Sequence, residues 1–598
     1  MFLLLDFDWQ FVGPAWQKLA RRWNEKFLLG HCWPNQPMLE TTTLGNYINA
    51  RMSSLSRYVT LCGVSLAAAL FGYPLAALTV HGFNIDVWPD VVIRPSGWFW
   101  TIRGLDALVN LEAYVDMACA ISPAFPAGGL WHVLAIFLAP IAAAGWLLQK
   151  RALPARDPRG TFGNARWANA GEKAAMREGV ELGIDPDTGR PLRVAFEGNF
   201  LTIAPPRTGK TSGLAIPNLW ALGDDTWRGP SVVIDPKGQV FKAVAERRRA
   251  FGRRVVCLDP MNLVGGTDGW CPMQAIDATD VLYMQSIARA LLPAATTSEG
   301  AYFQNRASDV IVTAMRAAIA ANEAKPQFVS KLLSDPDKLS KHLASLDNDI
   351  ITARVRTLLA MEARTRDPIF STAEQAFQWC DDDRMQRLTN RSTFRFDELC
   401  RDKIDIFLTL PTEALEVLGP FIRWFLVDLF TAIRRHPPIE RTLIFVDEAR
   451  ALGRFSELIV ASGELPGYQA SLWTFWQDRS QISAIYGRDD AATLLRTAEF
   501  VTLSDPASVD PDECDFWSRA LSNFTLMQES HSNDVSSSKR RTSTTTAPTA
   551  ARLMTAEELA RLPGGELIVF PKSQRHAKRP LRLLKTRHDD RRFSKSDP

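Results

Sequence analysis

"TIAPPRTGKTSGLAIPNL", residues 202–219, is the stretch on which the fold turns. Within it Gly209, Lys210 and Thr211 match the end of the phosphate-binding pattern G-x-x-x-x-G-K-[ST], with Ala204 where that pattern opens on glycine. In front of the loop runs "FLTIA" (200–204), an apolar strand, and behind it "SGLAIPNLW" starts a helix. A strand that delivers a loop to a helix N-terminus aims backbone N–H groups and the positive end of the helix dipole at a polyphosphate. In that setting Gly209 lets the backbone come close, Lys210 neutralises phosphate charge and the Thr211 hydroxyl ligates Mg²⁺.

Working outward, further apolar runs bounded by turn residues read as strands buried on both faces: 231–236, 255–260, 404–411, 442–449, 470–477 and 499–504. Helical patterns separate most of them, so the expected fold class is α/β, an open parallel sheet with crossover helices on both faces. Between 260 and 404 the strand signal disappears. "RASDVIVTAMRAAIAANEA", "ARVRTLLAMEA" and "IFSTAEQAFQWC" are apolar at helical spacing, which predicts an inserted all-α domain over 276–400.

Two later strand ends carry candidate chemistry. "TLIFVDEA" closes on Asp447 and Glu448, and a carboxylate at a strand tip can hold Mg²⁺ while its neighbour orients or deprotonates water. "WTFWQ" closes on Gln477, a polar tip able to contact the terminal phosphate or the water and to pass that contact to the following helix.

The chain has 598 residues, too many for one compact core, and 69 Lys+Arg against 66 Asp+Glu leave a net charge of +3. Net charge therefore supplies no strong general attraction to nucleic acid. The eight cysteines are scattered without C-x-x-C pairs, which argues against a zinc site or a disulfide framework. "ERRRAFGRR" (246–254) and the basic end 572–595 can contact phosphates or form solvated faces, and 531–550 reads as a flexible polar loop.

From Tyr58 to Val80 and from Gly128 to Gln149 there is no Asp, Glu, Lys or Arg, and each run exceeds the ~20 residues that cross a bilayer. Arg51 and Arg57 precede the first span and Lys150, Arg151, Arg156 and Arg159 follow the second, so both termini are expected in the cytoplasm. The organisation expected is a cytoplasmic segment 1–57, spans 58–80 and 128–149 around a periplasmic loop 81–127, and a nucleotide-binding domain in two parts, 150–275 and 401–598, around the insertion. The opening "MFLLLDFDWQF" lacks the basic start of a secretory signal.

"GTFGNARWA" (160–168), "LTIAPPRTGKTSGLAIPNL" (201–219), "SVVIDPKGQVF" (231–241), "LIFVDEARALGRF" (443–455), "WQDRSQISAIYG" (476–487) and "RLMTAEELARLPGGELIVF" (552–570) occur in the order that resembles TraG/TraD-like type IV secretion coupling proteins. The resemblance implies a RecA-like ATPase with ATP and Mg²⁺ as cofactors, hexameric when assembled and anchored in the bacterial inner membrane. It implies recruitment of a relaxase bound to single-stranded DNA, or of effector proteins, to a type IV secretion channel. Carried across, the nucleotide loop is Ala204, Pro205, Pro206, Arg207, Thr208, Gly209, Lys210 and Thr211, the metal carboxylate Asp447, its neighbour Glu448 and the post-strand glutamine Gln477. A trans-acting arginine would come from among Arg391, Arg395, Arg423 and Arg496. The competing readings are an FtsK-like double-stranded DNA translocase and a binding platform with little turnover.

Overall fold

The structure is a computed structural model that describes residues 155–587 apart from 158, 293–297, 347–348, 402, 507–509, 537–538, 574 and 577, together with the isolated positions 138 and 142. The segment 1–57, the loop 81–127 and, but for those two positions, the stretches 58–80 and 128–149 read as membrane spans lie outside the described residues. Among the described residues no helix is long and apolar enough to cross a membrane.

Fourteen strands are described: β1 (Ala155–Arg156), β2 (Val180–Ile184), β3 (Pro191–Val194), β4 (Asn199–Ile203), β5 (Ser231–Ile234), β6 (Arg254–Leu258), β7 (Ile404–Leu408), β8 (Thr442–Val446), β9 (Ala470–Trp476), β10 (Ala498–Leu503), β11 (Asn523–Ser536), β12 (Lys539–Arg552), β13 (Glu566–Pro571) and β14 (Leu581–Leu584). Eleven of them form one sheet in the order β3-β2-β14-β13-β10-β4-β9-β8-β5-β7-β6. From β10 to β6 every neighbouring pair is parallel, as the apolar runs predict. The strands β13, β14, β2 and β3 extend it as an antiparallel edge that the sequence pattern did not reveal.

Period-2 alternation divides the sheet between two cores. Phe200, Val233, Phe407, Phe445, Trp473, Phe475 and Phe500 face one side, where Leu214, Ile216, Leu219, Val240 and Val244 of the helical segments after β4 and β5 cover them. The parallel register brings Phe200 opposite Trp473 and Trp473 opposite Phe445. Their rings stack accordingly, with centroids 4.6 Å apart for Phe200 and Trp473 and 5.3 Å for Phe445 and Trp473. Offset stacking of this kind adds roughly 0.5–1.5 kcal/mol per pair beyond the area buried.

On the other face Leu201, Ile203, Val232, Ile234, Ile406, Ile444 and Val446 are mostly aliphatic and join a second core with the helices between β6 and β8. Helices Val281–Leu291, Ser298–Ala320, Pro326–Leu333, Ile350–Leu359 and Ala363–Gln375 lie in the stretch read as all-helical, and its described residues contain no strand. The long crossover helix Leu415–Arg435 buries Phe421, Trp424, Phe425 and Leu426 against them. Acidic caps start several of these helices, as Asp280 does by accepting the N–H of Tyr283 and Asp349 by accepting that of Thr352.

A separate sheet holds β1, β11 and β12. The segment read as a polar loop is instead most of an antiparallel hairpin, with Asn523 opposite Arg552 at its base and Ser536 opposite Lys539 at its end. Beyond Phe524 and Leu526 at the base the strands are rich in Ser and Thr, and consecutive backbone pairing holds them; β1 adds one more ladder to the base.

Candidate functional site

The loop after β4 is shaped by its backbone. Arg207 sits at φ 67° and Gly209 at φ 81°, both left-handed, a conformation costly for a side-chain-bearing residue and free for glycine. The Thr208 hydroxyl donates to the Pro205 carbonyl at 2.8 Å and closes the turn. From outside, Lys585 donates to the carbonyl of Thr208 at 2.9 Å and to that of Gly564 at 2.7 Å, tying the loop to the segment after β14. A π-helical turn, Thr211–Ala215, then leads into the helix Ile216–Trp220.

Four strand ends meet this loop. A cleft of about 480 Å³ is lined by Pro206, Arg207, Gly209, Lys210, Thr211 and Ser212, by Pro236, Lys237 and Gln239 after β5, by Thr412 after β7, by Asp447 and Glu448 after β8, and by Gln477 after β9. Lys210 donates to the carbonyl oxygen of Asp447 at 2.9 Å, and its ammonium lies 3.9 Å from the Asp447 carboxylate and 3.5 Å from that of Glu448. The Thr211 hydroxyl is within 3.0 and 3.1 Å of the two Asp447 carboxylate oxygens. Gln477 donates to Glu448 at 3.3 Å and accepts from Gln481, on the next helix, at 3.1 Å.

Burial raises the Asp447 carboxyl above the usual carboxylate range, against the lowering effects of Lys210, the Thr211 hydrogen bond and Lys237. Asp235, buried at the end of β5, is raised for the same reason and by the nearby Asp447 charge, while the N–H groups of Phe241 and Val240 pull the other way. Its carboxylate accepts from Gln239, Val240 and Phe241 at 3.2, 2.8 and 3.1 Å and so caps the helix Gln239–Ala250.

These donors fit a magnesium–polyphosphate. Lys210 and Thr211 rest on carboxylate and carbonyl oxygens of the β8 tip, contacts that phosphate and metal would take over, and one carboxylate with one hydroxyl is the sparse protein set Mg²⁺ accepts beside phosphate and water. Among the described residues no group of three or more His, Cys, Asp or Glu is arranged to hold a metal by itself.

Of the residues named from sequence, Lys210, Thr211, Asp447, Glu448 and Gln477 converge here with Pro206, Arg207 and Gly209. Ala204, Pro205 and Thr208 do not line the cleft. Ala204 is fully buried and donates its N–H to the Trp476 carbonyl at 2.8 Å, which extends the β4–β9 ladder by one residue. Sequence reasoning gave no role to Asp235, Lys237 or Thr412 and met Lys585 only within the basic end 572–595; the signal for the first two was the turn "DPKG" directly after an apolar run.

Several basic residues turn out to serve the fold. Arg423 is buried and donates to the carbonyls of Leu452 and Leu291 at 2.8 Å and to that of Ala290, with burial lowering its guanidinium to about 10. That commitment removes it from the set of candidate trans-acting arginines, whereas Arg391, Arg395 and Arg496 are exposed. In "ERRRAFGRR" Arg247 donates to Trp220, Arg248 to Asp405 and Gly229, Arg253 to Glu440, and Arg254 to Thr393. Most of these arginines are therefore committed to internal bonds, while Arg249 and Arg254 stay exposed.

Residues 172–588 match the family described as Type IV secretory system Conjugative DNA transfer. A probable conjugal transfer protein TraG from Sinorhizobium fredii (strain NBRC 101917 / NGR234) is 25% identical over 87% of this chain and 91% of its own. Conjugal transfer protein TraG from Agrobacterium fabrum (strain C58 / ATCC 33970) is 24% identical over 78% of each. Among solved structures, the bacterial conjugative coupling protein TrwBdeltaN70 in its unbound monoclinic form superposes with a TM-score of 0.56 at 18% identity, covering 73% of this chain and 95% of that one. Plasmid coupling protein TrwB in complex with ADP and Mg²⁺ gives 0.54 at 17% identity, over 73% and 95%. At these identities the structural likeness establishes a shared fold.

Proposed function

Because the chain belongs to the type IV secretory system conjugative DNA transfer family, we propose that it is a membrane-anchored coupling ATPase. In this reading a RecA-like domain binds ATP and Mg²⁺, the two apolar stretches at 58–80 and 128–149 hold it in the bacterial inner membrane with both termini in the cytoplasm, and the active assembly is a homo-hexamer. Its cargo is a relaxase bound to single-stranded DNA or an effector protein, met by the all-α segment 276–400 and passed to a type IV secretion channel.

The observation that carries the reading is the convergence of Lys210, Thr211, Asp447, Glu448 and Gln477 on one cleft at the C-terminal edge of a parallel sheet. When bound, the magnesium nucleotide supplies the phosphoanhydride whose cleavage releases the energy. Lys210 then holds the phosphates, and Thr211 with Asp447 holds the metal. Glu448 is the base that takes the proton of the attacking water. Gln477 links Glu448 to Gln481, so a change at the carboxylate is felt at the start of the helix Arg479–Thr497.

Full-length protein in detergent, assayed for ATP turnover and in cells for cargo transfer, tests this. Lys210→Ala should abolish nucleotide binding and transfer together. Glu448→Gln should lower turnover by about 10²–10⁴-fold, the usual worth of a general base, while still binding nucleotide. Unchanged turnover and transfer in both variants would mean the reading is wrong.

A further inference from the structure

The turn after β5 holds a lysine that the reading above does not use. Asp235 caps the helix Gln239–Ala250, Pro236 has a fixed φ, and Gly238 adopts φ +63° where an added Cβ would lie 2.3 Å from a Val264 methyl. These constraints on both sides leave the backbone of Lys237 little freedom, while its side chain stays exposed at the mouth of the cleft.

Its position is set by the sheet. Along β4-β9-β8-β5, Lys210 follows β4 and Lys237 follows β5, so the two cations flank the carboxylates at the end of β8 from opposite sides. Lys210 is paired with both Asp447 and Glu448, whereas Lys237 makes none of the ion pairs present among the described residues. Its charge nonetheless reaches Asp447, whose carboxyl it lowers. Arg207, also in the cleft, belongs to the loop itself; Lys237 is the cleft cation beyond the carboxylates.

We infer that Lys237 is the cation that recognises the terminal phosphate of a nucleoside triphosphate, and so makes the cleft distinguish triphosphate from diphosphate. The inference rests on the nucleotide reading of the cleft. A polyphosphate anchored at Lys210 and Thr211 and directed toward Asp447 and Glu448 adds its last negative charge beside two carboxylates, where a cation on their far side offsets the repulsion. A diphosphate has no such charge to place, so Lys237 adds little to its binding.

Calorimetric titration of the full-length protein with Mg²⁺ and either a non-hydrolysable ATP analogue or ADP tests this. For Lys237→Ala and Lys237→Gln the analogue should bind roughly 10- to 100-fold more weakly, the loss typical of a charged hydrogen bond, with ADP within about 2-fold of wild type. Lys237→Arg should keep most of the preference. An unchanged analogue-to-ADP ratio in the Ala and Gln variants, or an equal loss for both ligands, overturns the inference. Lys210→Ala separates the two levels: loss of both ligands there keeps the nucleotide reading standing, and no loss of either means that reading has failed as well.

Discussion

Two charged clusters stand at opposite ends of the same parallel strands and are built in opposite ways. At the N-terminal end Arg248 and Asp405 are completely buried and joined by two 2.8 Å bonds; the Ser231 N–H and hydroxyl donate to Asp405 at 2.9 and 2.8 Å, and Gly229 accepts from Arg248. At the C-terminal end Lys210 lies 3.5 Å from Glu448 and 3.9 Å from Asp447, beside a cleft. The first cluster has its acceptors filled by the protein. The second keeps its charges loosely paired, and burial raises the Asp447 carboxyl above its ordinary value. A closed network secures strand register; an open one leaves capacity for a ligand.

Breaking the closed cluster should have the largest effect on stability. Arg248→Met strands a buried carboxylate and should cost about 3–5 kcal/mol by chemical denaturation. Adding Asp405→Leu should recover part of that loss but not all, because the Ser231 donors lose their acceptor. A double variant less stable than Arg248→Met alone would contradict the assignment of that pair as the source of the penalty.

The same kind of change at the open end should barely move stability. Lys210→Ala is expected within about 1 kcal/mol of wild type in denaturant melts, even as nucleotide binding is lost. A loss as large as that of Arg248→Met would erase the distinction between the two ends.

The smallest effect is a pH slope. A carboxyl whose folded pKa is raised binds its proton more tightly in the native state, so stability falls as pH rises from the ordinary Asp value through the raised one. Asp447→Asn should remove that slope and be slightly more stable than wild type at neutral pH, the gain shrinking on acidification. In the wild type, Mg²⁺-dependent nucleotide binding should weaken on acidification sooner than an ordinary Asp would dictate. Parallel melting curves of the two proteins at several pH values check the sign.

What could be read in the sequence follows from burial. The strands from β10 to β6 are covered on both faces, so they appear as uninterrupted apolar runs. The edge strands β3 and β14 are only four residues long and alternate, as in "PLRV" and "LRLL", and β2 carries Gly183; none resembles a buried run. The hairpin β11–β12 is held by its backbone, which composition does not report. In the site, residues at strand tips were legible because a polar side chain ending an apolar run needs an explanation. Ala204 was not, since a motif cannot say whether an N–H points to a ligand or, as here, to Trp476. Lys237 hid inside a turn whose glycine and proline look purely structural.

The alternation that splits the sheet into an aromatic face and a mainly aliphatic face also separates two packing problems. Side chains that pack under the nucleotide loop and those that pack under the helical insertion project from the same strands but into different cores. Changes of side-chain volume on the aliphatic side, one residue out of every two, can therefore be repacked without disturbing the stacked rings that support the loop. The sheet acts as a firewall, and a substitution that repacks one side need not be matched on the other.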